Sequence, residues 1–427
     1  HNSSYQDSHQ DYYPVNRITT VQQRKQLKIA YLSHDWRDHP MGRLTATLIA
    51  GHIRRMNSSS ISYGENDHSE VREFITRFST HFLDISTQRN DVFVSERIAQ
   101  EEYDILIDIT THTYNGRIDI SAMKPASIVI NYLGFPGTTG CSGFDYTMVT
   151  TTIVPPELAG LLFTEHMLYL PHTYQANDIS STATTTLRQS LLVRYIRSDH
   201  SITTGAYDLP IISEHRQLIC SFNANKKMEI ESFHAWMNIL SRVPAAILVL
   251  LEVSADVKAY LTHQLYYYGM KSSRIVYIPK RKWKDHLKRS SECDIVLDTF
   301  VYGAHTTASD VLWMGVPLLS LASYGSERMP SRVAASITQS LGLSSSSVDS
   351  IVEYENTAVS LLHTLQTTRT ALSRLISYQA VTAPTFDSEL MQRSVEFAYD
   401  LAYEVRAIRS LSTAPSSGFH IVIPSTT

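Results

Sequence analysis

Between Cys293 and Val333 the chain reads CDIVLDTFVYGAHTTASDVLWMGVPLLSLASYGSERMPSRV. An apolar run bounded by Asp294 and Asp298 is followed by a loop containing Gly303, and then by apolar residues at helical spacing, Val311, Leu312 and Met314. This pattern predicts a strand feeding a helix. The helix would begin near His305, Thr306 and Thr307, so two hydroxyls and several unpaired N–H groups would point outward at the positive end of the macrodipole. Such an end can seat a phosphate. Because Ser and Thr at helix starts are ordinarily no more than caps, the loop has to be weighed with the elements around it.

Strands and helices alternate on either side. Leu27 to Leu32 is an alternating apolar strand ending at Ser33-His34-Asp35-Trp36, followed by a helical pattern from Leu44 to Ile53. Further strands are predicted at Ile105 to Ile109 and Ser127 to Leu133, and the glycine-rich run Asn131 to Gly140 requires a shaped loop. A second series follows, with strands at Gln217–Phe222, Ala246–Leu251 and Arg274–Ile278 and helices at Ile230–Leu240 and Val257–Tyr268. The expectation is α/β architecture: two Rossmann-like lobes with a cleft between them, ligands binding beyond the carboxyl ends of the strands. The predicted boundaries are a disordered lead-in or end of a removed repeat region (1–26), an N-terminal lobe (27–175), a Ser/Thr-rich linker (176–215) and a C-terminal lobe (216–385). A closing helix (386–410) and a loose tail (411–427) complete the chain.

Composition narrows the classes. The formal charge of −4 gives no reason to expect nucleic acid or an anionic membrane as the main partner. No apolar run approaches the ~20 residues that a spanning helix needs. The start, HNSSYQDSHQDYY, lacks Met and the apolar core of a signal peptide, which suggests a trimmed or processed fragment. Cys141, Cys220 and Cys293 show neither CxxC nor metal-ligand spacing, so three buried thiols in a reducing compartment are expected.

The motifs carry a more specific message. His305-Thr306-Thr307, Asp310-Val311-Leu312-Trp313, Gly315-x-Pro317 and Ser331 through Ser336 resemble the donor-binding stretch of the O-GlcNAc transferase family. The resemblance extends over about residues 27 to 400. It implies a GT-B type glycosyltransferase that moves N-acetylglucosamine from UDP-GlcNAc to Ser or Thr hydroxyls of intracellular proteins, with inversion at the anomeric carbon. Lys227, in Phe222-Asn223-Ala224-Asn225-Lys226-Lys227, is similar to the lysine that contacts the diphosphate. A cation there stabilises the leaving group as it gains charge. His286 and Arg289 match the family's His-x-x-Arg, with the histidine packing on the uracil, and Asp310 matches the aspartate beside the ribose. In the first half, His39 of Ser33 to Pro40 matches a histidine near the reacting hydroxyl. On the acceptor or sugar side stand His112 and the loop containing Gly134, Pro136, Gly137 and Thr138.

The chain also departs from that pattern. Ala224 stands where the family has glutamine, Trp283 where it has lysine, Thr111 where it has glycine, and Ala304 and Ala308 where glycines flank His-Thr-Thr. Lys282 and Lys284 flank Trp283 as alternative sources of charge. Two other readings therefore stay open: a protein O-fucosyltransferase using GDP-fucose, and a nucleotide-binding scaffold without turnover. The presence of His305 and His39 argues against the fucosyl branch. No Asp-x-Asp pair is poised over the diphosphate, so neither a metal nor a cofactor is expected. The resemblance further implies a cytoplasmic and nuclear location, with tetratricopeptide repeats upstream in the full-length protein.

Overall fold

The computed structural model describes residues 26–177, 217–322, 328–411 and 420–425. The lead-in, nearly all of the linker and most of the tail therefore lie outside the described residues. Two parallel sheets form the frame. The first contains β1 (Lys28–Ser33), β2 (Asn57–Ser62), β3 (His81–Asp84), β4 (Ile105–Asp108), β5 (Ile128–Asn131), β6 (Tyr146–Val149), β7 (His166–Tyr169) and β14 (Ile421–Val422). The second contains β8 (Gln217–Ser221), β9 (Ala246–Leu251), β10 (Ile275–Ile278), β11 (Ile295–Leu297), β12 (Leu318–Leu321) and β13 (Ser347–Val348).

Strand order explains where a ligand can sit. The first sheet runs β14-β7-β6-β5-β4-β1-β2-β3 and the second β10-β9-β8-β11-β12-β13. In each, the order reverses beside the first strand of the lobe, at β1/β4 and at β8/β11. Such switch points leave a crevice beyond the carboxyl ends. β1, β4, β8 and β11 end at Ser33, Asp108, Ser221 and Leu297, and each leads directly into one of the motif loops. The lobes are Rossmann-like, as the alternating pattern implied.

Apolar residues dominate the strands because helices cover both faces. In β9 all six residues, AILVLL, are buried. β2 is the exception: its sequence is NSSSIS, yet Ser58 through Ser62 are buried. Small side chains are tolerated there where hydroxyls find partners, as Ser60 does with Ser79 at 2.7 Å and Ser62 with the Arg72 guanidinium.

One core cluster spans both lobes, from Ile29 and Ile107 to Val311 and Val333. Polar bonds join them as well: Gln175 Nε2 donates to Ser309 Oγ at 2.7 Å, and the Thr150 and Ser336 hydroxyls lie 2.9 Å apart. Ser388–Leu411, a 24-residue helix, returns to the first lobe. There Glu396 meets the buried His52 at 3.0 Å and the Tyr31 and Tyr399 hydroxyls lie 3.0 Å apart.

Two expectations need correction. Residues 420–425 fall in the tail expected to be loose, yet Ile421 and Val422 pair with Leu168 and Tyr169 at the sheet edge. The expectation of three thiols also fails, because Cys220 and Cys293 form a disulfide and Cys141 alone is free. Spacing gives no warning of this bond, since it depends on β8 lying beside β11. The inference of a reducing compartment rested on those thiols and loses that support.

Candidate functional site

The loop after β8 carries Lys227, at the end of the short 3-10 turn Asn225–Lys227. Its Nζ donates to the Gly303 carbonyl at 2.8 Å and lies 4.0 Å from the centroid of the Tyr302 ring. Burial lowers its pKa to about 8, opposed by the nearby Asp298 carboxylate. The ammonium is thus held three residues before Thr306, which opens the eight-residue helix Thr306–Trp313. No backbone acceptor among the described residues takes the Thr306 or Thr307 N–H, as geometry requires of a first helical turn. His305 precedes the helix without capping it through its side chain.

Asp298 shapes this loop. Its Oδ1 accepts from Asn223 Nδ2 at 2.8 Å, from Thr299 N at 2.8 Å and from Ala304 N at 2.7 Å. Burial pushes its pKa up to about 6, while the Asn223 bond and Lys227 pull it down. A Cβ on Gly303 would lie 2.8 Å from Asp298 Oδ2, so the close approach of backbone to carboxylate requires glycine. Asn223 and Asp298 are residues of the candidate site that the motif reading did not single out. Their available signal was position, one after each of two adjacent strands.

His305 stacks on Tyr302 with centroids 4.9 Å apart, and its Nε2 donates to the Pro330 carbonyl at 3.3 Å. Burial and then the Lys227 charge lower its pKa to about 3, so it is neutral at physiological pH. His286 meets Phe222 edge-on at 5.1 Å. Burial and then Arg289 bring its pKa to about 4. Arg289 is fully buried and donates to the Pro279 carbonyl at 2.7 Å and to His286 Nδ1 at 3.2 Å. It holds the wall that presents His286. Asp310 is buried and accepts from Trp283 Nε1 at 3.0 Å. Burial pushes this carboxyl up to about 7. Lys282 and Lys284 are exposed, so the residue that reaches Asp310 is Trp283.

Across the cleft, His39 caps the helix Pro40–His52. Its Nδ1 lies 3.3 Å from Met41 N and 3.4 Å from Asp35 Oδ2. These partners compete: the amide needs a bare Nδ1, whereas Asp35 needs a protonated one and would leave Nε2 able to accept. Desolvation lowers the His39 pKa, with Asp35 opposing. His112 Nε2 donates to the Thr139 carbonyl at 2.8 Å and its ring meets Phe135 at 5.0 Å, which joins the loops that follow β4 and β5. Gly134 is required because a Cβ there would sit 2.0 Å from the Ile109 carbonyl oxygen. Pro136 is buried, Gly137 O accepts from Asn131 Nδ2 at 3.0 Å, and the Thr138 hydroxyl donates to Glu165 Oε2 at 2.8 Å. Thr111 sits at φ 43°, the left-handed region that favours glycine, and its N–H bonds Asp108 Oδ1 at 2.9 Å.

The residues separate into two groups. Lys227, Gly303, His305 and Thr306 converge at one point, with Asp310 and His286 on the same side of the second lobe. His39, His112 and the Gly134–Thr138 loop occupy the first-lobe rim. Among the described residues no three His, Cys, Asp or Glu side chains cluster as metal ligands. No described helix is long and apolar enough to cross a membrane.

Comparison with known proteins gives the site its context. A sequence profile described as Glycosyl transferase family 41 matches residues 6–200 and 196–394. The Arabidopsis thaliana protein named "Probable UDP-N-acetylglucosamine--peptide N-acetylglucosaminyltransferase SEC" is 34% identical over 378 residues, 88% of this chain and 37% of its own length. A Caenorhabditis elegans UDP-N-acetylglucosamine--peptide N-acetylglucosaminyltransferase is 25% identical, covering 80% of this chain and 38% of its own. The chain therefore spans less than two fifths of these relatives. The fold matches a solved structure of a Thermobaculum terrenum O-GlcNAc transferase mutant with a TM-score of 0.74 at 23% identity, covering 90% of this chain and 69% of that one. These two lobes are accordingly a GT-B glycosyltransferase fold, and by the profile across both halves and the 34% identity over most of its length, this chain belongs to glycosyl transferase family 41.

Proposed function

We propose that the cleft transfers N-acetylglucosamine from UDP-GlcNAc to a Ser or Thr hydroxyl of a protein, with inversion. The observation that carries this reading is the Lys227 ammonium fixed on the Gly303 carbonyl, three residues ahead of the helix opened by Thr306. A cation and a helix N-terminus so close together form a seat for one pyrophosphate.

The acceptor oxygen attacks the anomeric carbon as the bond from that carbon to the β-phosphate oxygen breaks. The electron pair departs with UDP, and its charge is met by Lys227 and the Thr306 and Thr307 amides. Both interactions are strongest when the bond is nearly broken, which is the condition for accelerating the step rather than merely binding the donor. The acceptor proton has to leave on the opposite side, and in this reading His39 is the group that meets it. Its Asp35-bound tautomer presents a bare Nε2 that can take or relay this proton. Because a cation and amides already neutralise the leaving group, no metal is required.

Titration calorimetry with UDP and with GDP, followed by a sugar-transfer assay on a peptide acceptor, tests the reading. UDP binding and N-acetylglucosamine transfer are expected. Preference for GDP with transfer of fucose would replace it with the fucosyl reading, and nucleotide binding without turnover would leave a scaffold.

A further inference from the structure

Trp283 is the one tryptophan of the chain's four that is not buried; Trp36, Trp236 and Trp313 are 0%, 1% and 3% exposed. It begins the helix Trp283–Ser290 in the second lobe. Its indole N–H donates to Asp310 Oδ1 at 3.0 Å, while Arg43, from the Pro40–His52 helix of the first lobe, lies 5.2 Å over its ring. Arg43 is itself bonded to Asp38, the neighbour of His39. A continuous line of contacts therefore crosses the cleft: Asp38, Arg43, Trp283, Asp310.

We propose that Trp283 is a positioning residue for the nucleoside half of the donor, holding Asp310 through its N–H and tying the two lobes together through its ring. This rests on the nucleotide-sugar reading of the cleft. Only Oδ1 of Asp310 is engaged by the indole, so the N–H fixes the carboxylate's orientation and favours its ionised, accepting form. The face of the ring toward the first lobe carries the Arg43 guanidinium, an attraction between cation and π-system that is strengthened when water is excluded. A nucleoside that reaches Asp310 must come against this pair. A bare pyrophosphate, seated by Lys227 and the helix end, need not.

That asymmetry supplies the test. Trp283→Phe keeps a ring and removes the N–H; its affinity for UDP is expected to fall about tenfold by calorimetry, with its affinity for inorganic pyrophosphate unchanged. Arg43→Ala leaves the indole bond in place and is expected to weaken UDP by about threefold, again sparing pyrophosphate. In the wild type, UDP should change tryptophan emission, and this change should vanish in Trp283→Phe. Unchanged UDP affinity in both variants, or equal weakening of UDP and pyrophosphate, would overturn the proposal. If the wild type binds pyrophosphate but not UDP, or neither, the nucleotide-sugar reading fails first and takes the proposal with it.

Discussion

At the scale of single residues, Lys227 has the most to lose. Replacement by Met removes the charge but keeps the stem, so a loss of about 10²–10³-fold in kcat is expected, with thermal unfolding little altered. Its pKa, lowered by burial to about 8, fixes the alkaline limb: the ammonium is present below that value and transfer declines as pH rises through it. On the proposed reading, in which Asp310 accepts from the donor's nucleoside, its pKa of about 7 sets the acid limb, because the carboxylate protonates as pH falls below that value. A rate profile confined to the interval between these values is expected; a flat profile from about pH 6 to 9 would contradict both assignments. Lys227, His305 and Asp310 were legible as candidates, since they stand in recognisable strings. Asn223 and Asp298 were not, because their work is to hold a loop, and a loop's shape has no string of its own.

At the scale of elements, apolar runs revealed β1, β4, β5, β8, β9, β10 and β11, whereas β2, β3, β6, β7, β12, β13 and β14 escaped notice. In β2, NSSSIS has no alternation to read, and the partners that its Ser60 and Ser62 hydroxyls find are supplied only by the folded neighbours. The disulfide was hidden for a related reason, as its two halves are 73 residues apart and meet through strand order. Removing it by Cys220→Ala with Cys293→Ala is expected to lower stability by about 4 kcal/mol, because a loop of that length regains entropy when unfolded. Denatured protein should expose one reactive thiol before reduction and three after it. Three before reduction would refute the bond.

At the scale of the whole molecule, the two-lobed plan followed from strands and helices alternating twice. What joins the lobes did not, since the core runs across the boundary and the last helix returns to the first sheet. On the proposed reading a lysine and a helix end do the work that a metal would otherwise do, so a chelator is expected to leave transfer intact; activity abolished by chelation and restored by manganese would contradict that. The most direct measurement of the central claim is calorimetric titration of inorganic pyrophosphate and UDP into the wild type and Lys227→Met. The expected result is that both anions bind the wild type and that the substitution weakens both by a similar factor. Wild-type affinity for both anions in Lys227→Met would show that the ammonium and the helix end do not share one pyrophosphate.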